Sequence, residues 1–240
     1  GLRQLEAALR SDLHLSHATG TVRVTELQSR WRQLRTQLPP GVNLLAVSKM
    51  QPASAVRELA ACGQVDFGES RVQEALPKQE ALSDLTDLRW HFIGRLQANK
   101  VRAVVKAFSW IHSIDSMTLA ERVSRIAEEE GCRPSVLFQV KLRPDPAKGG
   151  WDPELLMENW PDLNRLPGLR SSGLMTMAPL GLDVQERQGL FSDCRNLADE
   201  LNLKHCSMGM SGDWPEAAAC GATWVRVGSA LFGARPPLPS

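Results

Sequence analysis

The reading of the chain turns on Leu44-Leu45-Ala46-Val47-Ser48-Lys49, a block of four apolar residues, a serine and a lysine. Met50-Gln51-Pro52 follows, and then a helix-like run. A short continuous apolar run bounded in this way reads as a strand buried on both faces. Strands of that kind belong to parallel α/β folds, where ligands gather at the carboxyl ends of the strands. Lys49 falls at such an end. A lysine held there is partly desolvated, which disfavours the ammonium form and makes the neutral amine a nucleophile towards carbonyls. A surface lysine that merely follows a strand is the plainer alternative.

Outward from this block, the pattern alternates. Strands are predicted at 43–48, 65–67, 89–93, 110–114, 135–140, 171–175, 204–208 and 223–227, with amphipathic runs between them. Residues 53–62 close on Gly63, 71–82 follow Glu69-Ser70, and 117–130 run from Ser116 to Gly131. Asp152-Pro153 reads as a cap with a first-turn proline, and Asp183-x-x-Glu186 and Asp213-x-x-Glu216 read as capping boxes. Strand then helix, repeated about eight times in roughly 200 residues, is the (β/α)8 TIM barrel pattern. A doubly wound sheet would place a glycine-rich turn after its first strand, where this chain has Lys49-Met50-Gln51-Pro52. Before the barrel, Val24, Leu27, Trp31, Leu34 and Leu38 form a helical stripe that Pro39-Pro40-Gly41 ends. The expected organisation is one domain over 1–240: a helical N-terminal extension over about 1–38 and a barrel over about 42–235.

Composition is that of an ordinary globular chain, 42% hydrophobic and 23% charged over 240 residues. A net charge of +1 gives no surface for nucleic acid. The apolar runs are too short to span a bilayer. The N-terminus mixes Arg3, Glu6, Arg10 and Asp12 with leucines, so no secretory signal is expected. The five cysteines, Cys62, Cys132, Cys194, Cys206 and Cys220, form no CxxC pair. They read as reduced thiols in a cytoplasmic protein, with neither a disulfide framework nor a zinc site.

Two loops near the C-terminus carry a second signal. Met208-Gly209-Met210-Ser211-Gly212-Asp213 follows the seventh strand, and Gly228-Ser229-Ala230-Leu231-Phe232-Gly233 follows the eighth. In barrels these loops, with the start of a short extra helix, commonly hold a phosphate. Glycine lets the backbone approach, while free N–H groups and serine hydroxyls donate. An amine nucleophile facing a phosphate cradle suits a phosphorylated aldehyde or ketone. Pyridoxal phosphate fits, and so does the sugar phosphate of a Schiff-base aldolase. Arg226, one residue inside the end of the eighth strand, is either a donor to a pyridine nitrogen or half of a structural ion pair. Glu69 reads as a partner of Lys49 or as a helix-start acid. His91 and His112 read as packing histidines. His14, His17 and His205 lack metal-like spacing. Arg95, Lys100, Arg102 and Lys106 make a basic patch that reads first as a solvated face.

Taken together, several segments carry a specific resemblance. They are Ala46-Val47-Ser48-Lys49, Phe67-Gly68-Glu69 with Val72-Gln73-Glu74, Trp90-His91-Phe92-Ile93-Gly94, and Leu96-Gln97-Ala98-Asn99-Lys100. Ile111-His112-Ser113-Ile114-Asp115-Ser116, Gly173-Leu174-Met175, Ser207-Met208-Gly209-Met210-Ser211, and Val225-Arg226-Val227-Gly228-Ser229-Ala230-Leu231-Phe232-Gly233 continue it. In this set the chain resembles the YggS/PROSC family of pyridoxal phosphate homeostasis proteins, whose fold is similar to the barrel of alanine racemase (PLP fold type III). The resemblance implies pyridoxal 5'-phosphate (PLP) as cofactor. It implies that Lys49 forms the internal aldimine, that Ser211, Gly228 and Ser229 bind the phosphate, with Met210 beside them in the site, and that Arg226 faces the pyridine nitrogen. The chain departs from the family at Ser70, commonly Asn, at Arg95, commonly His, and in the first half of the 143–151 loop. The first 20 or so residues lie outside the resemblance.

Alanine racemase uses a second base, a tyrosine, from a separate domain. This chain has no tyrosine and is expected to lack that domain. An arginine also leaves the pyridine nitrogen neutral and the ring a weaker electron sink. The expected function is therefore PLP homeostasis: holding PLP and releasing it to acceptors such as apo PLP-dependent enzymes, as a monomer, without strong catalysis. The alternatives are a weak PLP-dependent amino-acid racemase or lyase with His91 or His112 as second base, and a regulator that docks a protein on the basic patch.

Overall fold

A computed structural model describes residues 24–234. Eight parallel strands close into a barrel in sequence order, β1 Asn43–Val47, β2 Asp66–Glu69, β3 Arg89–Phe92, β4 Trp110–Ile114, β5 Ser135–Gln139, β6 Arg170–Met175, β7 His205–Ser207 and β8 Trp224–Val227. The barrel closes where β1 pairs with β8, in the register Leu45↔Arg226 and Ala46↔Val227. Around it lie α1 Glu26–Gln37, α2 Ala53–Cys62, α3 Val72–Ala81, α4 Val101–Ala107, α5 Met117–Glu129, α6 Pro153–Leu163, α7 Val184–Glu200, α8 Trp214–Ala219 and α9 Ser229–Phe232. All eight predicted strands form. The extension over about 1–38 is helical over Glu26–Gln37, and the part before residue 24 lies outside the described residues.

Strand alternation sorts the side chains. Outward residues such as Leu44, Ala46, Phe67, Ile111, Val136, Val225 and Val227 pack against the helices in one continuous core. Inward residues fill the lumen, which is unusually polar, with Asp66, His91, His112, Ser207 and Arg226 all buried. The helix ends follow the local chemistry. Asp152 accepts from Glu154 N and Leu155 N, Ser116 from Leu119 N, and Asp183 from Glu186 N.

Three local expectations are corrected. The second strand runs on through Gly68-Glu69 instead of turning there. Glu69 is thus a buried strand residue, not a helix-start acid, and Lys78 compensates its charge. Asp213 precedes α8 without capping it, because its carboxylate turns back to accept from Met210 N at 2.7 Å.

Candidate functional site

Lys49 lies two residues beyond the last residue of β1, half-buried at the mouth. Its backbone neighbours are held from two sides. Ser48 O accepts from Lys78 Nζ at 2.8 Å, and Met50 N donates to Glu74 Oε1, both partners standing on α3. Met50 adopts φ 62°, a left-handed conformation that a bulky residue holds only when its surroundings impose it. Ser48 Oγ and Lys78 Nζ donate to the same oxygen, Glu69 Oε1, at 2.9 and 2.5 Å. Burial nevertheless pushes the Glu69 carboxyl above the usual carboxylate range, against the pull of Lys78. The sequence offered Lys49 as a partner of Glu69; a second lysine, the buried Lys78, bonds it. Spacing held the clue, since Lys78 stands four residues after Glu74 on a face otherwise buried through Val72 and Ala75.

Across the mouth, the loops after β7 and β8 interlock. Gly209 has φ 95°, and a Cβ there would stand 2.7 Å from Ala217 Cβ, so only glycine lets the chain turn so close to α8. Arg226 N donates to Gly209 O at 2.9 Å, tying the loop to β8. Ser211 Oγ accepts from Gly228 N at 3.3 Å and Ala230 N at 3.1 Å. Two first-turn donors of α9 and a hydroxyl thus converge at one spot, a donor set that suits a phosphate. Ser229 is exposed beside them, and Met210 is exposed on the same loop as Ser211. Arg30 of α1 donates from Nε to Leu231 O at 2.7 Å and so braces the far end of α9.

Arg226 is only 5% exposed. The ion-pair alternative does not hold, since no carboxylate among the described residues lies within salt-bridge distance. Its guanidinium instead donates from Nη1 to Ser207 Oγ at 2.8 Å and from Nη2 to Thr176 O at 3.2 Å. Burial lowers its pKa to about 10, which still leaves it cationic at neutral pH. A guanidinium has five N–H groups, so donors remain for a ligand. The same interior holds the two histidines. His91 Nε2 meets Asp66 Oδ1 and His91 Nδ1 meets His112 Nε2, both at 2.9 Å. His112 Nδ1 meets Ser207 Oγ at 2.9 Å. Both rings are fully buried and all four nitrogens are engaged, so neither ring offers a free nitrogen at the mouth.

Thus Lys49, Met210, Ser211, Arg226, Gly228 and Ser229 come together at the ends of β1, β7 and β8. The rest of the mouth is a cavity of about 430 Å³ at the ends of β3 to β6, lined by Ile93, Arg95, Asp115, Gln139 and Lys148 among others. The 143–151 loop closes over it, with Gln139 Nε2 donating to Gly149 O and Lys148 Nζ to Ala178 O. In the basic patch, Arg102 is occupied by Glu129 and Glu130, both at 2.6 Å. Among the described residues no helix is long and apolar enough to cross a membrane.

The barrel with this mouth is of the alanine racemase N-terminal domain class, whose family model matches residues 22–236. Within that class the chain belongs to the family of pyridoxal phosphate homeostasis proteins. It is 47% identical over 213 residues to the pyridoxal phosphate homeostasis protein of Synechocystis, covering 86% of this chain and 98% of that one. The Escherichia coli protein of the same name is 38% identical over 208 residues, covering 82% of this chain and 87% of that one. The structure of PipY of Synechococcus elongatus with PLP bound superposes with a TM-score of 0.84 at 52% identity, covering 87% of this chain and 100% of that one. An alanine racemase of Clostridium difficile, 17% identical with a TM-score of 0.71, shares the fold; the match covers 88% of this chain and 57% of that one.

Proposed function

We propose that this protein binds pyridoxal 5'-phosphate at the barrel mouth, holds it reversibly through Lys49, and hands it to acceptors, without strong catalysis of its own. The observation that carries the reading is the pairing of a pinned lysine after β1 with the donor cradle of Ser211, Gly228 and Ala230 after β7 and β8. The PLP-bound PipY structure and the relatives' shared name support the same choice over a sugar phosphate. The chemistry PLP supplies when bound is that of its aldehyde, which condenses with a primary amine with loss of one water. Lys49 Nζ is that amine, on a backbone held on either side by Lys78 and Glu74. Ser211, Ser229 and the backbone of Gly228 hold the phosphate, Met210 flanks them, and Arg226 donates to the ring nitrogen.

Strong carbanion chemistry is disfavoured on two counts. Arg226 stays protonated, so the ring nitrogen it faces is neutral and the ring a weak electron sink. His91 and His112, the candidate second bases, have both ring nitrogens hydrogen-bonded inside the barrel. The cavity beyond the lysine leaves room for an incoming amine. We read the protein as a monomer of the cytoplasm, one domain throughout, with apo PLP-dependent enzymes as acceptors.

Borohydride reduction of the protein incubated with PLP, followed by peptide mass spectrometry, tests the reading. The reduced pyridoxyl mass is expected on Lys49 alone, and Lys49→Ala is expected to abolish both it and the visible absorption band. A mass on another lysine at equal occupancy, or amino-acid turnover far above that of free PLP, would overturn it.

A further inference from the structure

The barrel lumen contains more order than a cofactor site alone requires. A file of polar groups runs from Arg89 and Asp66 at the amino ends of β3 and β2, through His91 on β3 and His112 on β4. It then crosses the lumen to Ser207 on β7 and ends at Arg226 on β8. Every link is between 2.8 and 2.9 Å. The step from β4 to β7 joins strands that are not neighbours in the sheet. Local pairing therefore does not impose it.

We propose that Asp66, His91, His112 and Ser207 form one oriented hydrogen-bond chain that positions the Arg226 guanidinium, with both imidazoles neutral and protonated on Nε2. The orientation follows from the two ends. Asp66 takes two bonds from Arg89, Nε to Oδ1 at 2.8 Å and Nη2 to Oδ2 at 2.9 Å. A carboxylate so engaged only accepts, so His91 Nε2 must carry a proton. A neutral imidazole has a single N–H, so His91 Nδ1 accepts, and His112 Nε2 must donate to it. His112 Nδ1 then accepts in turn, so the Ser207 hydroxyl proton points at it. Arg226 Nη1, which can only donate, takes a lone pair of Ser207 Oγ. With both rings neutral, reversing any one link places two protons, or none, between a pair of atoms.

The charge states agree with this order. Burial pushes the Asp66 carboxyl up, but the bonds from Arg89 and His91 outweigh it and hold it below the usual carboxylate range. Burial lowers His91, against the pull of Asp66. Burial lowers His112 well below the ordinary imidazole value, and the permanently cationic Arg226 close by adds to that. The rings are also fixed in orientation: His91 stacks on Trp110 at 5.2 Å and lies 4.8 Å from Trp224. Each donor in such a chain polarises the next, so a Ser207 hydroxyl already donating to His112 is a stronger acceptor for Arg226. The four residues act through Arg226. They are positioning residues. Their effect on PLP rests on the reading of Arg226 given above, but the proton assignment does not.

Two measurements on the full-length protein test this. First, ¹⁵N NMR of the imidazole nitrogens, with PLP stripped and at neutral pH, is expected to show His91 and His112 neutral, with Nε2 protonated and Nδ1 bare. A protonated Nδ1 or a cationic ring at either position overturns the proposal, whether or not the protein binds PLP. Second, Ser207→Ala is compared with Ser207→Thr, which keeps the hydroxyl. Ser207→Ala is expected to shift the His112 Nδ1 resonance, move the absorption band of the reduced-sensitive PLP complex and weaken PLP about five- to tenfold. Ser207→Thr is expected to restore all three. Ser207→Ala with unchanged His112 resonances overturns the chain. Absence of any PLP adduct with the predicted tautomers intact would count against the proposed function and leave the chain supported.

Discussion

At the scale of single residues, the site depends on a lysine that no strand end or loop marks in the sequence. Lys78 is 5% exposed and compensates the fully buried Glu69 while its Nζ holds Ser48 O, next to Lys49. Removing one member of a buried pair leaves an uncompensated charge. Lys78→Met is therefore expected to cost about 3–5 kcal/mol in urea unfolding. Adding Glu69→Gln should return part of it; a double variant as unstable as the single one would show that the packing of the lysine stem, not the charge, matters. Ser211→Ala removes the hydroxyl on which Gly228 N and Ala230 N converge. It is expected to weaken PLP about tenfold, roughly 1.4 kcal/mol, in an equilibrium titration, with borohydride labelling of Lys49 retained at saturating PLP.

At the scale of elements, α1 and the β6–β7 contact show how distant parts hold the mouth. The stripe of α1 was legible as a packing helix, with no chemistry visible in it. Its Arg30 nevertheless donates to Leu231 O near the end of α9, the short helix whose start is proposed above as the phosphate cradle. Arg30→Ala is expected to lower stability by about 1 kcal/mol and to weaken PLP a few-fold, with no effect on which lysine is labelled. Gly173 of β6 lies so close to β7 that a Cβ would stand 2.1 Å from His205 O, a backbone atom that cannot rotate away. Gly173→Ala is expected to destabilise by about 1–3 kcal/mol, read as a lowered midpoint in urea. A neutral outcome would mean that β6 and β7 can separate without loss of packing.

At the scale of the whole molecule, the polar lumen makes stability depend on pH. His91, His112 and His205 all titrate lower in the folded chain than the ordinary imidazole value, and burial is the first cause in each. His205, where Lys204 and Arg195 add to burial, falls to about 4. Below about 6.5, while these rings stay neutral in the folded chain, the unfolded chain binds more protons, so stability rises with pH there and is lost on acidification. Asp66 adds a loss at still lower pH, and Glu69, whose carboxyl is raised, opposes the trend as its own proton binds. The melting temperature is expected to fall steadily from pH 6.5 towards 4.5, and His205→Gln to flatten that slope. A flat profile over this range would show that the rings titrate normally.

The sequence by itself determined the barrel, because strand-then-helix periodicity is written in local apolar patterning and all eight strands could be counted from it. It also located the lysine and the two glycine–serine loops, since strand ends and turns are local features. It could not determine what fills the barrel. Whether Arg226 meets a carboxylate, whether Lys78 reaches Glu69, and whether two histidines are idle or linked depend on which residues face one another across a closed sheet. Those pairs are separated by up to 95 residues in the chain, as His112 and Ser207 are. Only closure of the sheet brings them within hydrogen-bonding distance, and no periodicity along the chain encodes which inward side chain meets which.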